Sequence, residues 1–390
     1  MMRYIHQLNV WPKFVWDHEK IVTLLGAVRN RQGRLMGRME AIGFHLRSEA
    51  LLQTLTLDVL KSSEIEGDIL HPDQVRSSIA RRLGMNIAGL VSSDRHVDGV
   101  VEMMLDATQK FDEPLTKDRL FGWHACLFPA GRSGMRKIVV GAWRDNSRGP
   151  MQVVSGPLGR ERVHFEAPDA ARLDVEMKDF LDWFNRTAAI DLVLKAGIVH
   201  LWFVTIHPFE DGNGRIARAI TDMQLARADG SAQRFYSMSV QIRKERNAYY
   251  AVLEKIQKNT YGENADHVSS RGKGIDITDW LEWFLACLDR ALVTTEISLA
   301  DVFRKARFWE LHPSGSISER QRMMINRLFD GFEGKLTSSK WAQTAKCSQD
   351  TALRDILELV EKGILVKDSA GGRSTNYLLV ILQGREEIST

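Results

Sequence analysis

The chain has 390 residues, 44% of them apolar, with 53 Lys and Arg against 50 Asp and Glu and a formal net charge of +3. At roughly 100–200 residues per domain this length predicts two to three domains, and the near-balanced charge argues against a surface built throughout for nucleic acid or an anionic membrane. Cys126, Cys287 and Cys347 are few, odd in number and far apart, so neither a disulfide framework nor a zinc site is expected.

The opening "MMRYIHQLNVWPKF" has no apolar core of the kind a signal peptide carries, and no run of about 18 apolar residues follows. The expectation is no membrane and a reducing, cytoplasmic setting. An aromatic segment, "NVWPKFVWDHEKI", leads into a helical pattern through "LLGAVRNRQGRLMGRMEAIGF". From Glu49 to Ser62 the stretch sets Leu51, Leu55, Val59 and Leu60 on one helical stripe. "SSEIEGDIL" follows, and Pro72 marks a fresh helix start. Helical patterns continue through "DGVVEMMLDATQKF" and "TKDRLFGWHACLF".

Near Lys137 the pattern changes to Gly and Pro punctuation. "MQVVS" and "RVHFEA" flank "GPLGRE", the pattern of a short β-hairpin. Helical periodicity returns after Pro168, in "DAARLDVEMKDFLDWFN", "DLVLKAGIVHLWFVTIH", "GRIARAITDMQLARAD" and "IRKERNAYYAVLEKIQK". Residues 260–275 are polar and glycine-bearing and are expected to form a loop or linker; "DITDWLEWFLACLDRALVTTEISL" is again amphipathic. From about residue 314 three helical patterns precede "ILVKD" and "TNYLLV", two strands around a glycine turn, which is the order of a winged helix.

One stretch carries chemistry. "HPFEDGNGRIAR", His207 to Arg218, sets Gly212-Asn213-Gly214 between an extended entry and a helix start. Consecutive N–H groups there form an anion-binding nest aided by the helix dipole. Arg215 and Arg218 are spaced to share a helix face, and guanidinium groups pair bidentately with phosphate oxygens. Asp211 could hold Mg²⁺, which typically takes one or two carboxylates plus substrate phosphates. His207 precedes the nest as a proton acceptor for an incoming hydroxyl. Asp-Gly-Asn-Gly alone is an ordinary turn, but a turn needs neither the histidine before it nor the arginines after it. Gly131–Lys137 lacks the spacing of a P-loop, and no kinase-like catalytic loop is present.

With these residues in view, the chain resembles the Fic (filamentation induced by cAMP) family. Its signature, H-P-F-x-D/E-G-N-G-R-x-x-R, is matched at every specified position from His207 to Arg218. The resemblance spans roughly residues 50–300. "NVWPKFVWD" also resembles the N-terminal domain of a bacterial Fic subgroup that carries a C-terminal winged helix. The resemblance implies a mainly α fold: an all-helical Fic core with a short β-hairpin flap, plus a C-terminal winged-helix (α+β) domain. The implied plan is an N-terminal helical segment at 1–48, a helical region at 49–110 with an inhibitory helix around 51–67, a catalytic core at 111–300 and the winged helix at 314–390.

It also implies the activity. Most Fic enzymes move AMP from ATP to a Ser, Thr or Tyr hydroxyl of a target protein and release pyrophosphate. His207 would be the general base, Phe209 the apolar anchor and Asp211 the Mg²⁺ ligand. Gly212, Asn213, Gly214, Arg215, Ile216, Ala217 and Arg218 would form the ATP phosphate site. The hairpin would be the flap that docks the target, through Val153, Val154 and Ser155. Tyr249, Tyr250 and Gln257 would face adenine and ribose. "SSEIEGD" fits the family's inhibitory pattern, S/T-x-x-x-E-G/N, at Ser62, Glu66 and Gly67. In the family this glutamate pairs with the second motif arginine, here Arg218, and obstructs the productive γ-phosphate position. Glu64 is out of register and expected in solvent; Glu210 fills the variable position and is assigned no role.

Removal of AMP at the same site and a nucleotide-sensing DNA-binding regulator stay open as alternatives. The second helix of the C-terminal pair, Ser348 to Gly363, carries more acids than bases, a poor footprint for DNA. That leaves protein recognition, a homodimer contact, or a weak DNA contact through Arg373.

Overall fold

The N-terminal aromatic stretch mixes turns with two short strands in the computed structural model, which describes residues 3–85, 89–147, 149–156, 160–187, 189–259, 274–312, 317–329, 332, 334–368 and 375–380. Strand β1 (Arg3–Tyr4), a 3-10 turn (Ile5–Gln7) and β2 (Phe14–Val15) come before α1 (His18–Ala41), α2 (Phe44–Ile65), α3 (Pro72–Arg82), α4 (Arg95–Gln109) and α5 (Lys117–Leu127). Two hairpins follow, β3 (Arg132–Ser133) with β4 (Arg136–Lys137), and β5 (Gln152–Ser155) with β6 (Arg162–Glu166). Next come α6 (Leu173–Asn185), α7 (Leu192–Ile206), α8 (Asn213–Asp229), α9 (Met238–Lys244) and α10 (Arg246–Gln257). After β7 (Lys258–Asn259) and β8 (Ile275–Asp276), the chain continues through α11 (Thr278–Ser298), α12 (Ala300–Leu311), α13 (Glu319–Phe329), α14 (Ser338–Ala345) and α15 (Gln349–Glu361) to β9 (Leu365–Lys367) and β10 (Tyr377–Leu379). The fold is mainly helical, as expected. No described helix is long and apolar enough to cross a membrane.

The chain forms two compact units: Met1–Ala41 with Arg47–Ile297, and Ile42–Leu46 with Ser298–Thr390. Within the first unit, α4 packs on both α5 and α8. At the centre of that unit, every residue of α7 from Val193 to Ile206 is buried. A helix apolar all round belongs inside a core, and α8 runs against it. Gly197 lets α11 approach: a Cβ there would lie 3.0 Å from Leu281 Cδ2, and Trp280 Nε1 donates to the Gly197 carbonyl at 2.8 Å. The buried Lys195 closes the end of α6 by donating to Phe184 O and Arg186 O at 2.7 and 2.8 Å.

The N-terminal strands act as a strap. β1 pairs antiparallel with β7 and β2 pairs parallel with β8, so residues before α1 bind the end of α10 and the start of α11. Tyr4 packs edge-on against Phe165 at 5.2 Å, and His6 Nε2 lies 2.9 Å from Glu166 O. The β5–β6 hairpin, found where the sequence predicts it, therefore rests on the N-terminal segment.

The second unit starts earlier than residue 314. Phe308 of α12 joins Trp341, Ile356, Leu359 and Tyr377 in its core. α13 to α15 precede an antiparallel pair in which Val366 faces Leu378. Thr337 and Ser348 cap α14 and α15 through the N–H groups of Lys340 and Thr351. The charge reading of α15 needs one correction. Asp355 is internal, bonded to Arg320 at 2.6 and 2.9 Å and to Trp341 Nε1 at 3.3 Å, so it adds nothing to the outer face. Arg373 and the hairpin-tip residues 157–159 lie outside the described residues.

The α4–α5 contact yields a paired prediction. A Cβ on Gly99 would sit 1.9 Å from Cys126 O, whereas one on Gly122 meets nothing within 4 Å. Gly99→Ala should destabilise the first unit by about 1–3 kcal/mol or more. Gly122→Ala, in the exposed middle of α5, should stabilise it by roughly 0.5–1 kcal/mol. Urea unfolding of the two variants checks both signs.

Candidate functional site

The site is built where α7 stops and α8 starts. His207 ends α7 in the left-handed region, at φ 53 and ψ 57, which is uncommon for a residue with a Cβ. Phe209 is fully buried and stacks on His124 at 4.2 Å with 15° between the rings. Asn213 closes the loop: its Oδ1 accepts from Phe209 N at 2.9 Å and its Nδ2 donates to Phe209 O at 2.8 Å. Its side chain is thus a brace for the loop. Gly212 takes φ 80, and a Cβ there would meet Phe128 Cε2 at 2.9 Å.

His207 is partly accessible yet enclosed on most sides by protein. Its Nδ1 lies 3.3 Å from Val204 O, so the hydrogen sits on Nδ1 and the Nε2 lone pair is left for the cavity. Burial pushes the imidazole down to about 4, helped by the nearby Arg144 guanidinium. It is therefore neutral at pH 7, the state a base requires. His124 lies behind it. The Gly141 N–H donates to His124 Nδ1 at 3.2 Å, so Nε2 carries the proton and donates to Asp211 O at 3.2 Å. Burial lowers His124 to about 4 as well.

Asp211 lines the cavity and is oriented twice. Its Oδ1 accepts from Gly212 N at 2.6 Å, and its Oδ2 accepts from the Ser133 hydroxyl on β3. Among the described residues no cluster of three or more His, Cys, Asp or Glu is set to hold a metal. A single oriented carboxylate fits Mg²⁺ arriving with substrate phosphates rather than a resident metal cage. Glu210, given no role from the sequence, also lines the cavity, 3.8 Å from Arg136.

Both motif arginines are held by the segment that ends α2. Arg218 is 2% exposed; its Nε donates to Ser62 Oγ at 2.9 Å and its Nη2 to Ser62 O at 2.7 Å. Its Nη1 lies 2.8 Å from Glu66 Oε1, but off the N–H axis, so the contact is an ion pair without an aligned hydrogen bond. Gly67, at φ 84, ends α2 with its N–H on Glu64 O at 3.1 Å. Beyond it, Asp68 Oδ2 accepts from Arg215 Nη1 at 3.0 Å and pairs with His96 Nε2 at 2.7 Å. Glu66 Oε1 would lie 2.1 Å from a Cβ on Gly214, so only glycine lets that carboxylate settle on the first turn of α8. Glu64, expected in solvent, instead pairs with Lys61 at 2.6 Å and Arg243 at 2.9 Å.

A cavity of about 610 Å³ brings together Glu66, His207, Asp211, Gly212 to Gly214, the strand β5 and one face of α10. Val153, Val154 and Ser155 form its hairpin wall, with the Ser155 hydroxyl 2.6 Å from His164 Nε2. Tyr249, Tyr250 and Gln257 line it too, but two of them face inward. The Tyr249 hydroxyl is 2.9 Å from the buried His200, and Gln257 Nε2 donates to Thr205 Oγ1 at 3.1 Å. Tyr250 carries Arg246 over its ring at 4.9 Å. Ile216 and Ala217 do not reach the cavity; both side chains are fully buried, and the Ile216 N–H donates to Gly212 O at 3.0 Å. They are scaffold, which corrects their place in the phosphate site.

Residues 114–225 match the Fic/DOC family. That stretch contains every residue from His207 to Arg218. Residues 4–85 match a domain of unknown function (DUF4172), the stretch that supplies the strap, Ser62, Glu66 and Asp68. The chain is 42% identical over 178 residues to protein adenylyltransferase fic-1 of Caenorhabditis elegans, covering 45% of this chain and 32% of that protein. It is 28% identical over 108 residues to a probable protein adenylyltransferase of Aquifex aeolicus, covering 28% of this chain and 32% of the relative. It therefore spans about a third of the length of these curated relatives. A Fic family protein from Desulfovibrio desulfuricans shares the fold, at a TM-score of 0.54 and 22% identity, with 92% of this chain and 95% of that one covered.

Asp68, His96, His124, Ser133 and Arg144 escaped the sequence reading of this site. Each meets its partner across a large separation in the chain, and no short motif marks any of them. Their electrostatics are measurable by histidine ring NMR. His207, His124 and His200 should stay neutral as pH falls until about 4, 4 and 3 respectively, because burial opposes their protonation. His96 should titrate above 6.5, because its hydrogen bond to Asp68 favours the protonated ring. Asp68→Ala should return it toward the ordinary value.

Proposed function

We propose that the chain is a protein adenylyltransferase, moving AMP from ATP to a Ser, Thr or Tyr hydroxyl of a target protein. The observation that carries this reading is the placement of a neutral His207, with Nε2 unencumbered, in one cavity with Asp211 and the glycine-rich start of α8. The names of the curated relatives support the same reaction class.

In this reading, the acceptor hydroxyl gives its proton to His207 Nε2 as its oxygen attacks the α-phosphorus. The bond to the bridging oxygen breaks and pyrophosphate leaves. Mg²⁺, when bound with the nucleotide, would neutralise phosphate charge beside Asp211. The chain's own part is to position groups: the first turn of α8 faces the phosphates, and Arg215 and Arg218 stand behind it.

Self-inhibition belongs to the same reading. Arg218 held by Glu66 and Ser62 is unavailable to an outer phosphate. The contact has one close N···O approach rather than the bidentate fork that would bind most tightly, so its release is attainable. We read the C-terminal unit as a winged helix suited to protein recognition. Leu353 and Leu357 are exposed on α15 beside acidic residues, a poor match for a phosphate backbone.

Three variants test the proposal with α-labelled ATP. His207→Ala should abolish label transfer while ATP binding stays within about threefold of wild type. Glu66→Gly should raise transfer, including self-modification, by about tenfold to a few hundredfold. Glu66→Gly with Arg218→Ala should not be activated. Transfer that survives in His207→Ala, or AMP removal that falls in Glu66→Gly while transfer stays flat, contradicts the reading. The second result would favour removal of AMP.

A further inference from the structure

Arg144 lies in the connection between β4 and β5, which the sequence marks only as Gly and Pro punctuated. It is 3% exposed. Its Nε donates to His207 O at 2.8 Å, and its Nη2 donates to Pro168 O at 2.6 Å. Its own main-chain N–H donates to Pro208 O at 2.9 Å. Nη1 has no hydrogen-bond partner among the described residues, and the carboxylate whose charge acts on the group, Asp169, makes no hydrogen bond to it.

A buried guanidinium without a hydrogen-bonded carboxylate is costly, and a plain loop brace does not need one. Two features offset the cost. The His207 carbonyl closes the C-terminus of α7, where a cation is favoured by the helix dipole and by unpaired carbonyls. The planar fork also reaches two carbonyls from separate segments at once, which an ammonium or a neutral amide does less well. Those segments are the catalytic loop and the root of the β5–β6 hairpin. Pro168 follows directly on Ala167, whose N–H donates to Met151 O at 2.9 Å to close that root. The left-handed His207 is thus gripped at its own carbonyl and at the next one, by a single residue also anchored to the hairpin.

We propose that Arg144 is a positioning residue that fixes the His207 imidazole relative to the β5–β6 hairpin, and so to an acceptor hydroxyl docked along it. The inference rests on the adenylyl-transfer reading. Arg144 does not touch the phosphate end of the cavity. Its loss should therefore slow transfer without weakening nucleotide binding.

The test uses the full chain with Glu66→Gly as the parent, α-labelled ATP as donor and the chain itself as acceptor. Arg144→Met should lower the rate at saturating ATP by about 30- to 100-fold, the scale of an ångström-sized misplacement of a reacting group. The half-saturating ATP concentration should stay within about threefold of the parent. Arg144→Lys, which keeps the cation and one donor, should lose about three- to tenfold at the same ATP affinity, and it serves as the test if the Met variant does not fold. Two results would overturn the inference: unchanged rates in both variants, or a loss of ATP affinity in proportion to the loss of rate. No labelled product from the Glu66→Gly parent itself would instead sink the transfer reading on which the inference stands.

Discussion

The carboxylate of Glu66 lies over Gly214, on the first turn of α8, and 2.8 Å from Arg218. An anion belongs there on physical grounds. The helix start offers N–H groups and a positive dipole end, and Arg218 is a buried cation that needs a counter-charge. The chain supplies that anion from the turn that follows its own α2. In the proposed reading a nucleotide would supply it from outside, so phosphate and Glu66 would compete for the same place.

The pairing of the motif arginines is doubled in its layout. Gly67 turns the chain so that Glu66 meets Arg218 and Asp68 meets Arg215, with His96 on the far side of Asp68. The stretch that presents these carboxylates begins with the strap that holds the β5–β6 hairpin through Tyr4 and His6. One N-terminal region therefore supports the hairpin wall of the cavity and supplies Glu66 to its lining. The stretch that matches the Fic/DOC family contributes His207, Asp211 and the glycine-flanked start of α8.

Much of this was legible in the sequence because it is local. The motif from His207 to Arg218 is contiguous, the helices carry their period, and the hairpin shows alternating strands around glycines. Glu66 was legible because its pattern is also contiguous. What stayed hidden depends on tertiary partners. The brace that the Asn213 amide makes onto Phe209 has no mark in one dimension. Ile216 follows the nest in sequence, yet one helical step turns it into the core. Glu64 reads as solvated until Arg243 arrives from α9, and Asp355 reads as surface charge until Arg320 arrives from α13. The boundary of the second unit moved because Phe308 serves a core whose other members follow it.

The central claim is that Glu66 and an outer phosphate compete for one arginine. Calorimetric binding of ATP and ADP to wild type and to Glu66→Gly tests it most directly, because the two nucleotides differ only in the γ-phosphate. The account predicts that wild type binds them within about threefold of each other. Glu66→Gly should prefer ATP by about tenfold or more, roughly 1.4 kcal/mol gained when Arg218 is released. The same ATP-to-ADP ratio in both proteins would contradict it.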